Sequence, residues 1–462
     1  MNNKNRLLLL NPPIQDNKLF IRSGYCNSVS KAGYYWAPID LLVQSGILKN
    51  HFELEILDAT ALRWKNDKTL SYLKNKYHSF DGLFFITSLA SKDYDFNFIE
   101  VLKKELKIKK LLVSAGYLLF ENYEALNLPF IDGVLLDYTS SETINFFNSQ
   151  NDTFTFIATK KNIKTVKDII KYQSNDFEYP VPLHLNFPLK KYYMPNCKSL
   201  PMTNIITNLG CPFNCDFCTW ANLKYRQRKI NNVLEELNYL NQNKIYEIMF
   251  IDPTFGANKK YSFELLNAII NNNIKISFSI ECRVDLINDE FLKLLKKAGC
   301  HSITFGLESG NNEILKKINK NFTVEDIKNI FKLCYKYDIL PTGHFIIGLP
   351  GETKETIFNT INLAKEINCD FASFNIAMPL PGTKIYNKDE FTISSYSDVD
   401  KPKIVYETKL TPDEILYYAH FAFKKFYFRP SYILKRLVYL FKYPVQFKII
   451  IFEFLNLIKK IF

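Results

Sequence analysis

The segment Gly210-Cys211-Pro212-Phe213-Asn214-Cys215-Asp216-Phe217-Cys218-Thr219-Trp220 decides how the rest of the chain is read. Its cysteines are spaced C-x3-C-x2-C. Three thiolates this close, with an aromatic just before the third, can wrap one corner of a cubane. A [4Fe–4S] cluster ordinarily takes four cysteines. This loop offers three and leaves one iron open, as a catalytic metal keeps an open position. Zinc would ask for a C-x2-C pair and a second pair downstream, but Cys26, Cys197, Cys282, Cys300, Cys334 and Cys369 occur singly.

Outward from the loop, β-rich apolar runs recur at 203–207, 245–251, 274–280, 302–306, 342–347 and 371–377. Helical patterns separate them, for example at 233–241, 289–297, 324–336 and 355–367. Six βα units in series predict an open, partial (β/α)6 TIM barrel, in which reactive residues sit at the carboxyl ends of strands. The cysteine loop follows the first of these strands. The other strand ends carry Asp252, Glu281, Arg283, Glu308 and the Gly348-Leu-Pro-Gly351 turn. Taken singly, Asp252 before Pro253 can simply end a strand, Glu281 and Arg283 can be an ion pair, and the glycines can be only a turn. His301 and His344 fall in apolar strand patterns and read as satisfied core histidines.

Upstream, short apolar runs at 7–10, 54–57, 83–86, 111–113 and 133–136 alternate with helical patterns at 39–49, 68–76, 94–106 and 141–147. This alternation predicts a Rossmann-like parallel sheet, with ligands beyond the carboxyl ends of its strands. Residues 151–201 read as a connector: a hairpin over 153–166, then a stretch broken by Pro180, Pro182, Pro188, Pro195 and Pro201. The expected division is therefore 1–150, 151–201, 202–400 and a helical extension over 401–462.

The cysteine loop resembles the cluster signature of the radical S-adenosylmethionine (SAM) superfamily. That resemblance implies a [4Fe–4S] cluster on Cys211, Cys215 and Cys218, with SAM on the open iron and reductive cleavage to a 5′-deoxyadenosyl radical. It also implies an electron donor such as flavodoxin or ferredoxin. The first half is similar to the cobalamin-binding domain that precedes the barrel in one subgroup, through Asn11-Pro-Pro13, Asp58-Ala-Thr60 and Ala115-Gly116. It departs from that pattern in three ways. No D-x-H-x-x-G offers a lower axial ligand, and Asp137-Tyr-Thr-Ser-Ser-Glu142 replaces the usual G-E-x-E. Ala115 also stands where a glycine is usual, which restricts close backbone approach. In the barrel, Asp252 matches the amine-binding region, Glu308 a G-I-E-S string near the ribose (with Leu307 for Ile), and Gly348 the adenine region. With Glu281 and Arg283, these are the residues expected to hold SAM.

The resemblance implies methylation, rearrangement or ring closure at an unactivated position of a lipid or secondary metabolite, with cobalamin as a further cofactor. The alternatives are a cobalamin-free radical SAM oxidoreductase and a non-catalytic Fe–S binding or sensor protein. A methylthiotransferase is disfavoured, because Cys26 alone cannot hold a second cluster in the first half.

Among 462 residues, nine cysteines without a framework spacing argue against a secreted disulfide scaffold. The expected location is the cytoplasm. Net charge is +12, but residues 421–462 hold nine basic residues against the single acid Glu453, +8 of that total. The remainder is only weakly basic, and no nucleic-acid partner is expected. Thr411-Pro-Asp-Glu414 reads as a capped helix start, with the helix ending near Arg429-Pro430. Beyond Pro430, Lys435, Arg436, Lys442, Lys448, Lys459 and Lys460 stand against Glu453, and 445–462 adds a broad apolar arc, which together suit peripheral contact with the inner face of an anionic membrane. Docking on the barrel or on a second subunit is the competing reading.

Overall fold

The computed structural model describes residues 4–22, 30, 33–148, 153–386 and 407–442. Cys26, the boundary at 400/401 and the arc over 445–462 lie outside these residues.

The first sheet comprises β1 (Arg6–Asn11), β2 (Glu53–Asp58), β3 (Gly82–Ile86), β4 (Lys110–Ser114), β5 (Gly133–Leu135) and β6 (Ile157–Ala158), in the order β2-β1-β3-β4-β5-β6. The first five strands are parallel, and β6 runs antiparallel to β5. Side chains alternate between two cores. Leu7, Leu9, Phe84, Ile86 and Leu112 pack on one face, and Leu8, Leu10, Leu83, Phe85, Leu111 and Val113 on the other. Burial on both faces explains why these strands read as unbroken apolar runs. The expected hairpin over 153–166 is not formed. Glu142 accepts from Thr155 N at 2.8 Å and Phe156 N at 2.7 Å and steers β6 onto β5. Only a tight Thr159–Asn162 bridge follows, before a helix at Val166–Ile170.

Strands β7 (Asp176–Phe177), β8 (Met202–Ile205), β9 (Asn208–Leu209) and β10 (Arg226–Arg228) lead into β11 (Glu247–Phe250), β12 (Ser277–Cys282), β13 (Cys300–Glu308), β14 (Leu340–Ile347) and β15 (Phe371–Ile376). A small sheet, β7-β10-β9, flanks the cysteine loop. The second large sheet is wholly parallel and keeps chain order from β8 through β11 to β15. The molecule is thus mixed α/β with parallel sheets.

Its two faces differ chemically. Ile248, Phe250, Phe278, Ile280, Ile303, Phe305, Phe345 and Ile347 are buried in a core shared with helix residues such as Leu237, Leu266, Leu295 and Phe331. The alternate residues Ser279, Glu281, Thr304, Gly306, His344 and Ser373 are polar or small and only half-buried. In-register pairs such as Glu281–Thr304–Thr342 and Gly306–His344–Ser373 place them on one side. Helices cover one face and leave a polar face open to ligand.

The helix Pro412–Tyr427 begins on the expected capping box, with Thr411 and Glu414 bonded reciprocally and proline in its first turn. The next helix, Pro430–Lys442, docks on the second sheet. Lys435 lies 2.9 Å and Arg436 3.4 Å from the buried Asp370, and Tyr432 donates to Asp370 O at 3.0 Å. Two cations expected to face a membrane are therefore paired with the protein's own Asp370. No helix among the described residues is long and apolar enough to cross a bilayer.

Candidate functional site

The cysteine loop leaves β9 through Gly210, whose φ is +68°. A Cβ there would lie 2.2 Å from Lys224 O, so both conformation and space require glycine. The loop is held by the protein itself. Asp216 accepts from Asn319 Nδ2 at 2.8 Å and Lys384 Nζ at 3.0 Å, and Asn222 donates to Gly382 O. Cys215 is buried, and Cys211 and Cys218 are half-buried. Among the described residues, no three His, Cys, Asp or Glu side chains converge on a single ion.

Cations and aromatics surround the sulfurs. Arg283 Nη1 lies 3.3 Å from Cys215 Sγ, its guanidinium sits 4.0 Å from the Phe213 ring centre, and its other nitrogens bind Asp285 at 2.8–2.9 Å. Burial pushes the Cys215 thiol up, while Lys320 and Arg283 pull against it. Burial also pushes Cys218 up to about 12. Cys211 Sγ lies 3.5 Å from Thr254 Oγ1. The five other described cysteines, Cys197, Cys282, Cys300, Cys334 and Cys369, are all buried.

Glu308 ends β13 at φ +62°, where the register with β14 shifts. Its carboxylate pairs with Lys320 at 2.9 Å, both side chains being less than a tenth exposed. Lys320 Nζ also donates to Gly306 O at 3.1 Å and approaches the Phe217 and Phe322 rings. Strained backbone and bulges gather at functional sites. Lys320 escapes a sequence reading, because Lys317-Ile-Asn-Lys320-Asn reads as a solvated polar turn.

The remaining predicted residues divide. Glu281 stands on the polar face without a side-chain hydrogen bond among the described residues, and burial together with Asp252 raises it to about 7. No Glu281–Arg283 pair forms. Asp252, expected at the SAM amine, is committed to the chain entering the loop. It accepts from Thr207 N at 2.6 Å, Asn208 N at 3.1 Å and the Thr207 hydroxyl, and burial raises it to about 6. Gly348, at φ +93°, gives its N–H to Glu352 Oε2 at 2.5 Å. That amide closes the turn.

At the carboxyl ends of the first sheet, Asn11, Asp58 and Thr60 surround Arg22, which sequence reasoning passed over. Arg22 is 1% exposed. It binds Asp95 at 2.7 and 2.8 Å, Thr60 Oγ1 at 2.6 Å, and the carbonyls of Pro12 and Pro13 at 2.9 and 3.0 Å. Asn11 Nδ2 donates to Asp58 Oδ1 at 2.9 Å, and Tyr192 from the connector donates to Asp58 Oδ2 at 2.9 Å. Ala115 has φ −163°, extended backbone that any residue adopts, so losing a glycine there costs no strain. Beside it, the Tyr117 hydroxyl is buried with no hydrogen-bond partner.

A parallel α/β molecule with a three-cysteine loop at the end of a strand defines a class, and the comparisons name it. Residues 205–364 match the Radical SAM superfamily, and the chain is an enzyme that carries this domain over that stretch. It is 28% identical over 421 residues to an uncharacterized methyltransferase, PH0819, of Pyrococcus horikoshii, spanning 86% of this chain and 89% of that protein. The fold is similar to the radical SAM methyltransferase TsrM of Kitasatospora setae, solved with cobalamin and a [4Fe–4S] cluster. The TM-score is 0.62 and the identity 17%, over 84% of this chain and 78% of that one. It is also similar to the cobalamin-dependent radical SAM enzyme OxsB solved with aqua-cobalamin and SAM, with TM-score 0.59 and 15% identity, over 86% and 55% of the two chains.

Proposed function

We propose that the chain is a cobalamin-dependent radical SAM methyltransferase. In this reading residues 1–150 form a Rossmann-like cobalamin domain, 151–201 a connector, 202–400 a partial (β/α)6 barrel and 401–462 a helical extension. The observation that carries it is the protein-held cysteine loop facing Arg283 and the Glu308–Lys320 pair.

The donor set fits a cluster. Three thiols not gathered around one ion suit a cubane, in which each thiolate takes its own iron. Cys211, Cys215 and Cys218 would hold it, and when bound it supplies the electron for SAM cleavage. Arg283 neutralises thiolate charge at Cys215. Lys320 offers a cation to the SAM carboxylate, Glu281 an acceptor to the ribose, and Glu308 orients Lys320. Asp252 and Gly348 act by shaping the loops around SAM. Helices on one face of the sheet and the first domain on the other side keep water from the reacting centre.

The unpartnered Tyr117 hydroxyl and the unstrained Ala115 fit a bulky ligand at the carboxyl end of β4. Cobalamin bound there would supply a transferable methyl group. The second reading, a cobalamin-free oxidoreductase, is favoured by one observation: Arg22 fills the ends of β1, β2 and β3, where ligands of such sheets bind. The acceptor is a small molecule, and the electron donor a flavodoxin or ferredoxin. Peripheral membrane contact is made through the segment after Pro430, where Ile433, Leu434 and Leu437 are exposed.

Anaerobic reconstitution and reduction test the class. Wild type should convert SAM to 5′-deoxyadenosine, and Cys215→Ala should lose both cluster and cleavage. Hydroxocobalamin titration separates the two readings, since a protein that cleaves SAM but stays free of corrinoid is the oxidoreductase.

A further inference from the structure

We infer that His344 contacts the substrate, as an open imidazole on the polar face that takes a hydrogen bond or a proton from a substrate N–H or O–H. The inference rests on the reading above for where the substrate lies.

Three histidines surround the second sheet, and two are locked. His184 lies 2.8 Å from Thr203 Oγ1 and 2.7 Å from Glu236. His301 lies 2.8 Å from Glu247. The sequence reading of a satisfied core histidine holds for His301 at Nε2 only, its buried Nδ1 having no partner, and fails for His344, whose half-buried ring nitrogens have no hydrogen bond among the described residues. His344 is half-buried between Gly306 of β13 and Ser373 of β15. Two residues earlier on the same face, the Thr342 hydroxyl is buried and also unpartnered. Buried polar groups are ordinarily satisfied, so the open Thr342 hydroxyl, one position along the same face from the half-buried His344 ring, marks a place that a ligand completes.

The charged group in its surroundings is Glu308, and that carboxylate is already paired with Lys320. Burial holds the ring toward its neutral form. A neutral imidazole offers one acceptor and one donor. The matching substrate therefore presents a heteroatom hydrogen at this point, not an alkyl chain. If the proton transfers, it moves from the substrate heteroatom to the ring nitrogen. The ring becomes imidazolium, and the bonding pair stays on the heteroatom.

Carbethoxylation with diethyl pyrocarbonate, mapped by peptide mass spectrometry on the full-length, cluster-loaded protein, tests this with and without SAM. His344 should be modified, His184 and His301 should be protected, and SAM should leave the His344 labelling unchanged. Protection of His344 equal to that of His184 and His301 overturns the inference. Loss of labelling on adding SAM also overturns it, because the ring would then face SAM and not the substrate. SAM cleavage by the same preparation is scored separately. A protein that labels at His344 yet makes no 5′-deoxyadenosine retains the open imidazole contact and removes the radical SAM reading instead.

Discussion

Lys320 Nζ lies 2.9 Å from Glu308 Oε1, with both side chains buried beside the cysteine loop. The pair joins the left-handed end of β13 to a turn twelve residues on. Neither charge is stable there alone.

Breaking this pair should therefore cost more than removing it. Lys320→Met leaves an uncompensated buried carboxylate, a loss of about 3–5 kcal/mol. The double variant Lys320→Met with Glu308→Gln should recover much of that stability while still binding SAM poorly. Chemical denaturation and SAM titration of the three proteins check both halves. Equal stability of the single and double variants would contradict the expected coupling.

Gly210→Ala should unseat the cysteine loop. The left-handed conformation costs about 1–3 kcal/mol for a non-glycine residue, and the added Cβ meets Lys224 O at 2.2 Å. Iron bound per chain should fall sharply while far-ultraviolet circular dichroism stays near wild type.

Burial raises Asp58 from 3.8 to about 6. A raised carboxyl binds its proton more tightly in the folded state, so its contribution is present below the unfolded value and lost as pH rises through the folded one. Between pH about 4 and 6 this amounts to at most about 3 kcal/mol. Asp58→Asn stays neutral and should flatten the fall in stability over that window. Urea unfolding at several pH values, compared with wild type, gives the difference.

Arg22→Lys keeps the charge but not the donors. The guanidinium serves Asp95, Thr60 and two carbonyls at once, and an ammonium has three hydrogens without the planar fork. The variant should unfold at clearly lower denaturant, by about 1–3 kcal/mol for acceptors left unsatisfied.

The sequence showed elements where burial is periodic. The runs at 7–10 and 83–86 lie within β1 and β3, and the pattern at 324–336 coincides with the helix Val324–Lys336. The cysteine loop was legible because its three thiols, close in space, are also close in the chain. Arg22, Lys320 and the duty of Asp252 were not, because each is defined by a partner chosen through tertiary packing. Arg22 sits in an aperiodic stretch and meets Asp95 across 73 residues. Asp252 carries the residue type expected of a ligand contact, yet its oxygens are taken by Thr207 and Asn208. Polarity alone did not separate His301 from His344, since Glu247 reaches His301 from β11, two strands away from β13.

The Asp216 clasp bears on how the enzyme ages. Asn319, Lys384 and Gly382 fasten the cysteine loop through side chains and backbone, without calling on any sulfur. Oxygen that strips iron from the thiolates would leave this mould standing. On the proposed reading, an emptied loop would keep its shape and could take up iron and sulfide again in place, without unfolding of the polypeptide.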